Sequence, residues 1–146
     1  MDSSALWLVT AAVFVVAMAL PFVPAIEIGL ALMLIGGAEG VVIVYLCTQL
    51  ALAASFVLGR LVPRRCLAQP LADPRLGRGW MGRLRAHRYL ALAVVVNLPG
   101  NVAVGGAGGI AMAAGASRLF DYPRYGLTMA VATSPLPLLF LAAQLA

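Results

Sequence analysis

The residues best suited to do chemistry in this chain are two carboxyl groups that lie in otherwise apolar sequence. Glu27 follows Pro24 by three positions, and Glu39 lies among glycines. A carboxylate in an apolar medium is costly unless it is paired, hydrated or protonated. We therefore predict that Glu27 binds a substrate or ion, or exchanges a proton; capping of a broken helix start is the structural alternative. Glu39 is predicted to be a hairpin tip or interface residue, with a functional role as the alternative.

A similar arrangement recurs in the second half of the chain. Pro99 is followed by Gly100 and Asn101, and then by a glycine-rich run that begins at Gly105. An asparagine amide can bond backbone groups that a proline leaves free, or bind a substrate hydroxyl or phosphate. The glycines permit close backbone approach, and tight packing alone is their alternative explanation. Because broken helices from two halves form the substrate sites of many transporters, we expect both segments to line one cavity, around Glu27 and Asn101.

The composition indicates a membrane protein. Of the 146 residues, 63% are hydrophobic, and the charged side chains number only 10 basic and 5 acidic. This is too few for a soluble domain with a charged surface of normal density. Crossing about 30 Å of hydrocarbon takes roughly 20 apolar residues as a helix. The candidate apolar helices are residues 5–22, 41–62, 89–98 continuing into the glycines, and 126–145.

We predict an all-α integral membrane protein with a single domain, residues 1–146, built as an inverted repeat. Each repeat joins a broken or re-entrant helical hairpin to one transmembrane helix, because an odd number of crossings inverts the second repeat. The predicted parts are repeat 1 over about 5–62 (hairpin 5–38, crossing 41–62), a cytoplasmic Arg-rich loop over 63–88, and repeat 2 over about 89–146 (hairpin 89–116, crossing 126–145). A plain bundle of four to six spans is the alternative, because residues 5–20 could almost cross by themselves.

The basic residues are all arginines, and most lie in or beside the loop 63–87. Short basic loops stay inside, so we expect a multi-pass protein of the bacterial inner (plasma) membrane with this loop in the cytoplasm. The loop is expected to meet anionic lipid headgroups. It is rich in proline and glycine and poor in aromatic residues that stack on bases, so no nucleic-acid partner is expected.

Three arginines near the ends of apolar segments are candidates for binding a lipid phosphate. Arg118 and Arg124 flank Asp121 in S-R-L-F-D-Y-P-R-Y, and Arg60 follows Gly59. Guanidinium groups match phosphate oxygens in geometry. The alternative is an interfacial anchor in which Asp121 neutralises one arginine beside tyrosines of the aromatic belt. Arg60 alternatively extends its side chain toward the headgroups.

Several short stretches form a pattern over most of the chain: proline followed by Glu27 and Gly29, S-F-V-L-G-R ending at Arg60, R-Y at 88–89, then L-P-G at 98–100 and A-A-G at 113–115. With this pattern the chain resembles the DedA family and its VTT-domain relatives. The resemblance implies a small inverted-repeat membrane protein with two re-entrant elements. It implies that Glu27 is the acidic residue of the first such element, that Gly59 and Arg60 end the following helix, and that a polyprenyl-phosphate or phospholipid is translocated with protons or sodium.

We therefore predict a small polytopic transporter-like protein that translocates a lipid or a small solute with proton or ion coupling. The alternative is a non-transporting membrane assembly or scaffold protein, in which Glu27 and the glycines serve packing. The expected partners are membrane lipids, and a homo-oligomer is left open.

Enzymatic activity is not expected. His87 is the only histidine and lies in the predicted cytoplasmic loop, so neither a serine–histidine protease nor a histidine-dependent phosphatase can form inside the membrane. The sequence contains no set of zinc ligands, no nucleotide-binding loop and no haem motif. We therefore expect no cofactor and no metal.

Overall fold

The computed structural model describes residues 3–19, 25–62, 87–98, 100–101 and 105–145. Within these ranges the regular structure is helical, in agreement with the predicted all-α class. The helices are α1 (Ser3–Ala19), α2 (Ala25–Leu61), α3 (Arg88–Asn97), α4 (Gly106–Ser117), α5 (Tyr122–Thr133) and α6 (Pro135–Leu145).

Helix α2 folds back on itself at Gly37. This residue has φ 57° and ψ −148°, a backbone conformation that residues with a Cβ essentially do not adopt. A Cβ placed on Gly29 would lie 3.4 Å from Cγ1 of Val44. In a straight helix these positions would be about 22 Å apart along the axis, at 1.5 Å per residue. Helix α2 therefore has two antiparallel arms, a short arm over 25–36 and a long arm over 38–61.

Helix α1 packs against both arms of α2. Phe14 lies in one buried cluster with Met33 of the short arm and with Val41 and Val44 of the long arm. Burial of such side chains stabilises each by about 1.5–3 kcal/mol relative to exposure. Helix α1 and the short arm thus form a hairpin over the region predicted at 5–38, and the long arm corresponds to the predicted crossing at 41–62.

Helix α3 starts, and helix α4 finishes, at the same end of the bundle. The Tyr89 hydroxyl, at the start of α3, donates to Oδ2 of Asp121 at 3.2 Å. Arg118, just after α4, reaches the backbone carbonyl of Arg60 near the end of α2. We call this end, with Arg60, Arg88 and Arg118, the arginine end. The chain leaves it in α3 and returns in α4, within the segment 89–116.

Small residues let α2 and α4 cross in backbone contact. A Cβ on Gly59 would overlap the carbonyl oxygen of Met112, and a Cβ on Gly115 would overlap the carbonyl oxygen of Phe56. The reversed order of these two contacts shows that the helices run antiparallel. Small residues permit close helix contacts of this kind, which are common in membranes because no hydrophobic force drives helices together there.

The last predicted crossing, 126–145, is bent. The axes of Tyr122–Thr133 and Pro135–Gln144 meet at 41°. Pro135 and Pro137 lack the N–H groups that would continue the helical hydrogen bonds, and their rings clash with the preceding turn. The Ser134 amide instead bonds the carbonyl of Val131 at 3.4 Å. The segment predicted as one crossing is therefore made of two helices, α5 and α6.

Of the described helices, only α2 is long and apolar enough to cross a membrane, over Glu27–Leu61; α5 and α6 qualify together if they count as one bent span. The long arm of α2 alone measures about 36 Å at 1.5 Å per residue. The exterior carries many large apolar side chains, and Ile35 is 78% exposed, Leu61 73% and Leu127 68%. Water-soluble monomers rarely expose contiguous apolar surface of this kind, so these features indicate membrane association.

Candidate functional site

A cavity of about 100 Å³ lies where the inner ends of the two hairpins meet. Gly29 and Leu30 of the short arm of α2 line it from one hairpin. Asn97 and Asn101, which lie at the turn between α3 and α4, line it from the other, and Thr133 lines it at the bend between α5 and α6. We call this the central cavity.

Asn101 is the predicted site residue that the structure places in the central cavity. Its Nδ2 donates to the carbonyl oxygen of Val96 at 2.6 Å, which ties the turn to the end of α3. Glu27 is exposed and is not among the described lining residues, and Glu39 is exposed beside the reversal at Gly37. The structure therefore brings the two predicted segments to one cavity, but it brings Asn101 there without Glu27.

The other predicted residues of the two segments lie near the cavity or outside the described ranges. Gly105 precedes α4 with φ 103°, a backbone conformation that favours glycine. Gly100 lies in the turn with φ 86° and is exposed. Pro24 and Pro99 lie outside the described residues.

At the bend between α5 and α6, side chains from other helices donate hydrogen bonds to two backbone carbonyls. The Tyr45 hydroxyl donates to the carbonyl of Ala130 at 2.9 Å. Nδ2 of Asn97 donates to the carbonyl of Ala132 at 2.9 Å. A buried carbonyl without a donor destabilises a fold by about 1–3 kcal/mol. Tyr45 and Asn97 therefore hold the bent helix in place and line the central cavity at the same time.

The remaining polar side chains of the cavity also donate to backbone carbonyls. Oγ1 of Thr48 bonds the carbonyl of Val44 at 2.8 Å. Oγ1 of Thr133 bonds the carbonyl of Met129 at 2.9 Å, and it accepts a hydrogen bond of 2.6 Å from Nε2 of Gln49. These bonds use the hydroxyl hydrogens, so the hydroxyl groups have no O–H left to donate to a ligand.

Sequence reasoning missed Tyr45, Thr48, Asn97 and Thr133 as site residues. A signal for the bend was present, since S-P-L-P at 134–137 places two prolines inside a predicted span. Asn97 also lies two positions before Pro99, close to the asparagine that was predicted. The sequence gives no such signal for Tyr45 and Thr48 of α2, because only the packing of the helices shows which side of α2 faces the bend.

Arg60, a predicted phosphate ligand, is held by aromatic rings and a carbonyl. Its guanidinium carbon lies 4.1 Å from the ring centre of Tyr122 and 5.1 Å from that of Phe56. Its Nη2 donates to the backbone carbonyl of Phe120. Cation–π contacts stabilise by about 0.5–2 kcal/mol depending on their solvation. This arrangement joins the end of α2 to the start of α5.

The other candidate arginines, Arg118 and Arg124, do not line the central cavity. Arg118 and Arg124 are exposed, and Nη2 of Arg118 lies 3.4 Å from the carbonyl oxygen of Arg60. Asp121 pairs with Arg88 at 3.7 Å. That pairing resembles the interfacial anchor considered as an alternative, with Arg88 as the neutralised partner.

No known protein family, curated protein or solved structure matches this chain. The resemblance to the DedA family stays a prediction. The stretches that carry it lie together in part: Gly59 packs against Met112 of the helix that contains A-A-G, and Tyr89 of R-Y packs its ring edge-on against Phe120, at 5.4 Å between ring centres.

Proposed function

We propose that this protein is a small multi-pass membrane transporter-like protein that binds a small solute or a lipid headgroup in the central cavity and passes it across the bilayer. The observation that carries the proposal is the place of that cavity. It lies at the meeting point of two helical hairpins and beside a broken helix, which is how many transporters arrange a substrate site.

The directions of the helices support an inverted arrangement. In the hairpin of α1 and the short arm, the ends away from the turn lie on the side of Gly37. In the hairpin of α3 and α4, the ends away from the turn lie at the arginine end. The long arm of α2 runs from Gly37 to the arginine end, and α5 with α6 runs back, so that Leu141 packs near Val41. Each half thus supplies one hairpin and one crossing, in opposite orientations.

The charge distribution supports an orientation in the membrane. Arg60, Arg88 and Arg118 lie at the arginine end, where the Arg-rich loop leaves and re-enters the helices. Positive loops stay on the cytoplasmic side. We therefore place the arginine end in the cytoplasm and Gly37 on the opposite side of a bacterial inner membrane.

Cysteine labelling tests whether the central cavity is a water-filled site. In a protein carrying Cys47→Ala and Cys66→Ala, Ala107→Cys introduces a thiol at a half-buried position that lines the cavity. The thiolate reacts with N-ethylmaleimide and forms readily only where water reaches it. In native membranes we expect Ala107→Cys to react about tenfold or more faster than the matched variant Ala54→Cys.

Ala54 is a suitable control because it is exposed on α2, outside the cavity, and faces lipid under this proposal. If Ala107→Cys reacts as slowly as Ala54→Cys, the cavity is closed to water and the transport proposal fails. The assembly or scaffold function, in which the same contacts only hold the helices together, would then be favoured.

A further inference from the structure

We infer that the central cavity takes an uncharged ligand that donates hydrogen bonds through hydroxyl or amide groups, such as a small polyol, and not an anion. The inference rests on the proposed function and assigns the chemical class of the substrate. It is carried by the way in which the polar groups of the cavity are already committed to the backbone.

Almost every side-chain hydrogen-bond donor that lines this cavity is already bonded to a backbone carbonyl. Asn97 donates through Nδ2 to the carbonyls of both Ala93 and Ala132, each at 2.9 Å. The hydroxyls of Tyr45, Thr48 and Thr133 each donate to a backbone carbonyl. An anion needs several donors that point toward it. Among the described lining residues, the second N–H of Asn101 is the one side-chain donor that remains.

Acceptors, in contrast, remain available. Within the described part of the chain, the amide oxygens Oδ1 of Asn97 and Asn101 accept no hydrogen bond. An amide oxygen has two lone pairs, and the hydroxyl oxygens of Tyr45 and Thr48 keep acceptor capacity as well. A ligand hydroxyl can donate to these oxygens and accept from the free N–H of Asn101. The cavity therefore matches a ligand that donates more hydrogen bonds than it accepts.

The lining of the cavity disfavours both anions and cations. None of the described residues that line the cavity carries a charge, and the remainder of the lining is apolar, with Phe14, Met18 and Leu30 among it. A cation entering this site would lose its hydration without meeting a carboxylate, since Glu27 and Glu39 are exposed elsewhere. The volume of about 100 Å³ has room for several waters or a small polyol.

Protection of the cavity thiol from labelling tests the inference. The cysteine-free protein with Ala107→Cys, reconstituted in phosphatidylcholine vesicles, is labelled with N-ethylmaleimide in the presence of glycerol, sodium phosphate or sodium chloride at equal osmolarity. We expect glycerol to slow the labelling and the two salts to leave it unchanged. Thr48→Val, which removes a hydroxyl oxygen that accepts no hydrogen bond within the described part of the chain, is expected to weaken the glycerol protection about fivefold, the effect of one hydrogen bond.

Thr128→Val is the matched control. Thr128 donates to the carbonyl four residues earlier, that of Arg124, at 2.7 Å, as Thr48 does to Val44, but it does not line the cavity. It is expected to leave glycerol protection intact. Protection by phosphate or sodium without protection by glycerol, or no protection by any solute, overturns the inference while the water-filled cavity stands. Absence of labelling at Ala107→Cys instead overturns the proposed function, and the inference falls with it.

Discussion

Gly59 and Gly115 lie on opposite sides of one helix crossing, each against the backbone carbonyl of the other helix. Gly59 contacts the carbonyl of Met112, and Gly115 contacts that of Phe56. A backbone carbonyl within a helix cannot move aside as a side chain can. The crossing of α2 and α4 therefore depends on the absence of a Cβ at two positions.

Replacement of Gly115 by alanine is expected to destabilise the protein by about 3 kcal/mol, the upper end of the range for overpacked sites, because the helices must separate. The free energy of unfolding can be measured by denaturant titration in mixed micelles. Gly126→Ala is the control, since a Cβ there meets open space in helix α5. That variant should be stabilised by up to about 1 kcal/mol through helix propensity. Equal effects of the two variants would contradict the close crossing.

Replacement of Arg60 by lysine is expected to destabilise the protein by about 2 kcal/mol. An ammonium group keeps the charge but loses the planar stacking on Tyr122, and it cannot reproduce the fork that reaches Phe120. Arg124→Lys serves as the control because Arg124 is exposed. It should change the unfolding free energy by less than about 0.5 kcal/mol. A tolerated Arg60→Lys would show that the aromatic contacts contribute little.

Replacement of Tyr45 by phenylalanine is expected to cost about 1–3 kcal/mol, because it removes the donor to the Ala130 carbonyl at the bend and leaves that carbonyl unpaired. Thermal unfolding followed by circular dichroism reports the loss. The matched variant is Tyr122→Phe, which removes the hydroxyl of an exposed tyrosine and keeps the ring against Arg60. A melting temperature equal in both variants would argue against a structural role of the Tyr45 hydroxyl.

Reporter fusions are expected to place residues 63–87 in the cytoplasm and Ala146 outside. The loop connects two helix ends at the arginine end, and α5 with α6 leads away from that end toward Val41. Alkaline phosphatase activity and green fluorescence at the two fusion sites measure the sides. A cytoplasmic C-terminus would exclude the inverted arrangement of the two halves.

Glycines mark two of the chain reversals directly in the sequence. Gly37 lies at the reversal of α2, near the end of the segment 5–38, and Gly100 lies at the turn between α3 and α4. Such residues act through their own backbone, so a single sequence reveals them. Gly59 was also identified from the sequence, as part of the pair Gly59-Arg60. Its contact with Met112 across the helix crossing was not predicted.

The position of Glu27 shows what the sequence could not provide, whereas the bend at Ser134 was marked by two prolines. Hydropathy averages side chains over a window and does not register missing N–H groups, so 126–145 was predicted as one crossing. These helices are also apolar on nearly every side, so periodicity does not identify an inner face. Whether Glu27 faces a cavity depends on its neighbours, and the structure places Gly29 and Leu30 there instead.

At the arginine end the two halves of the molecule contact each other directly. Val62 and His87 lie at one end of the bundle, and the halves already interlock through Gly59, Gly115 and Arg60. The described residues of 1–62 and of 87–146 thus form two complementary pieces. The contacts between them are of the kind that joins the two subunits of a heterodimer.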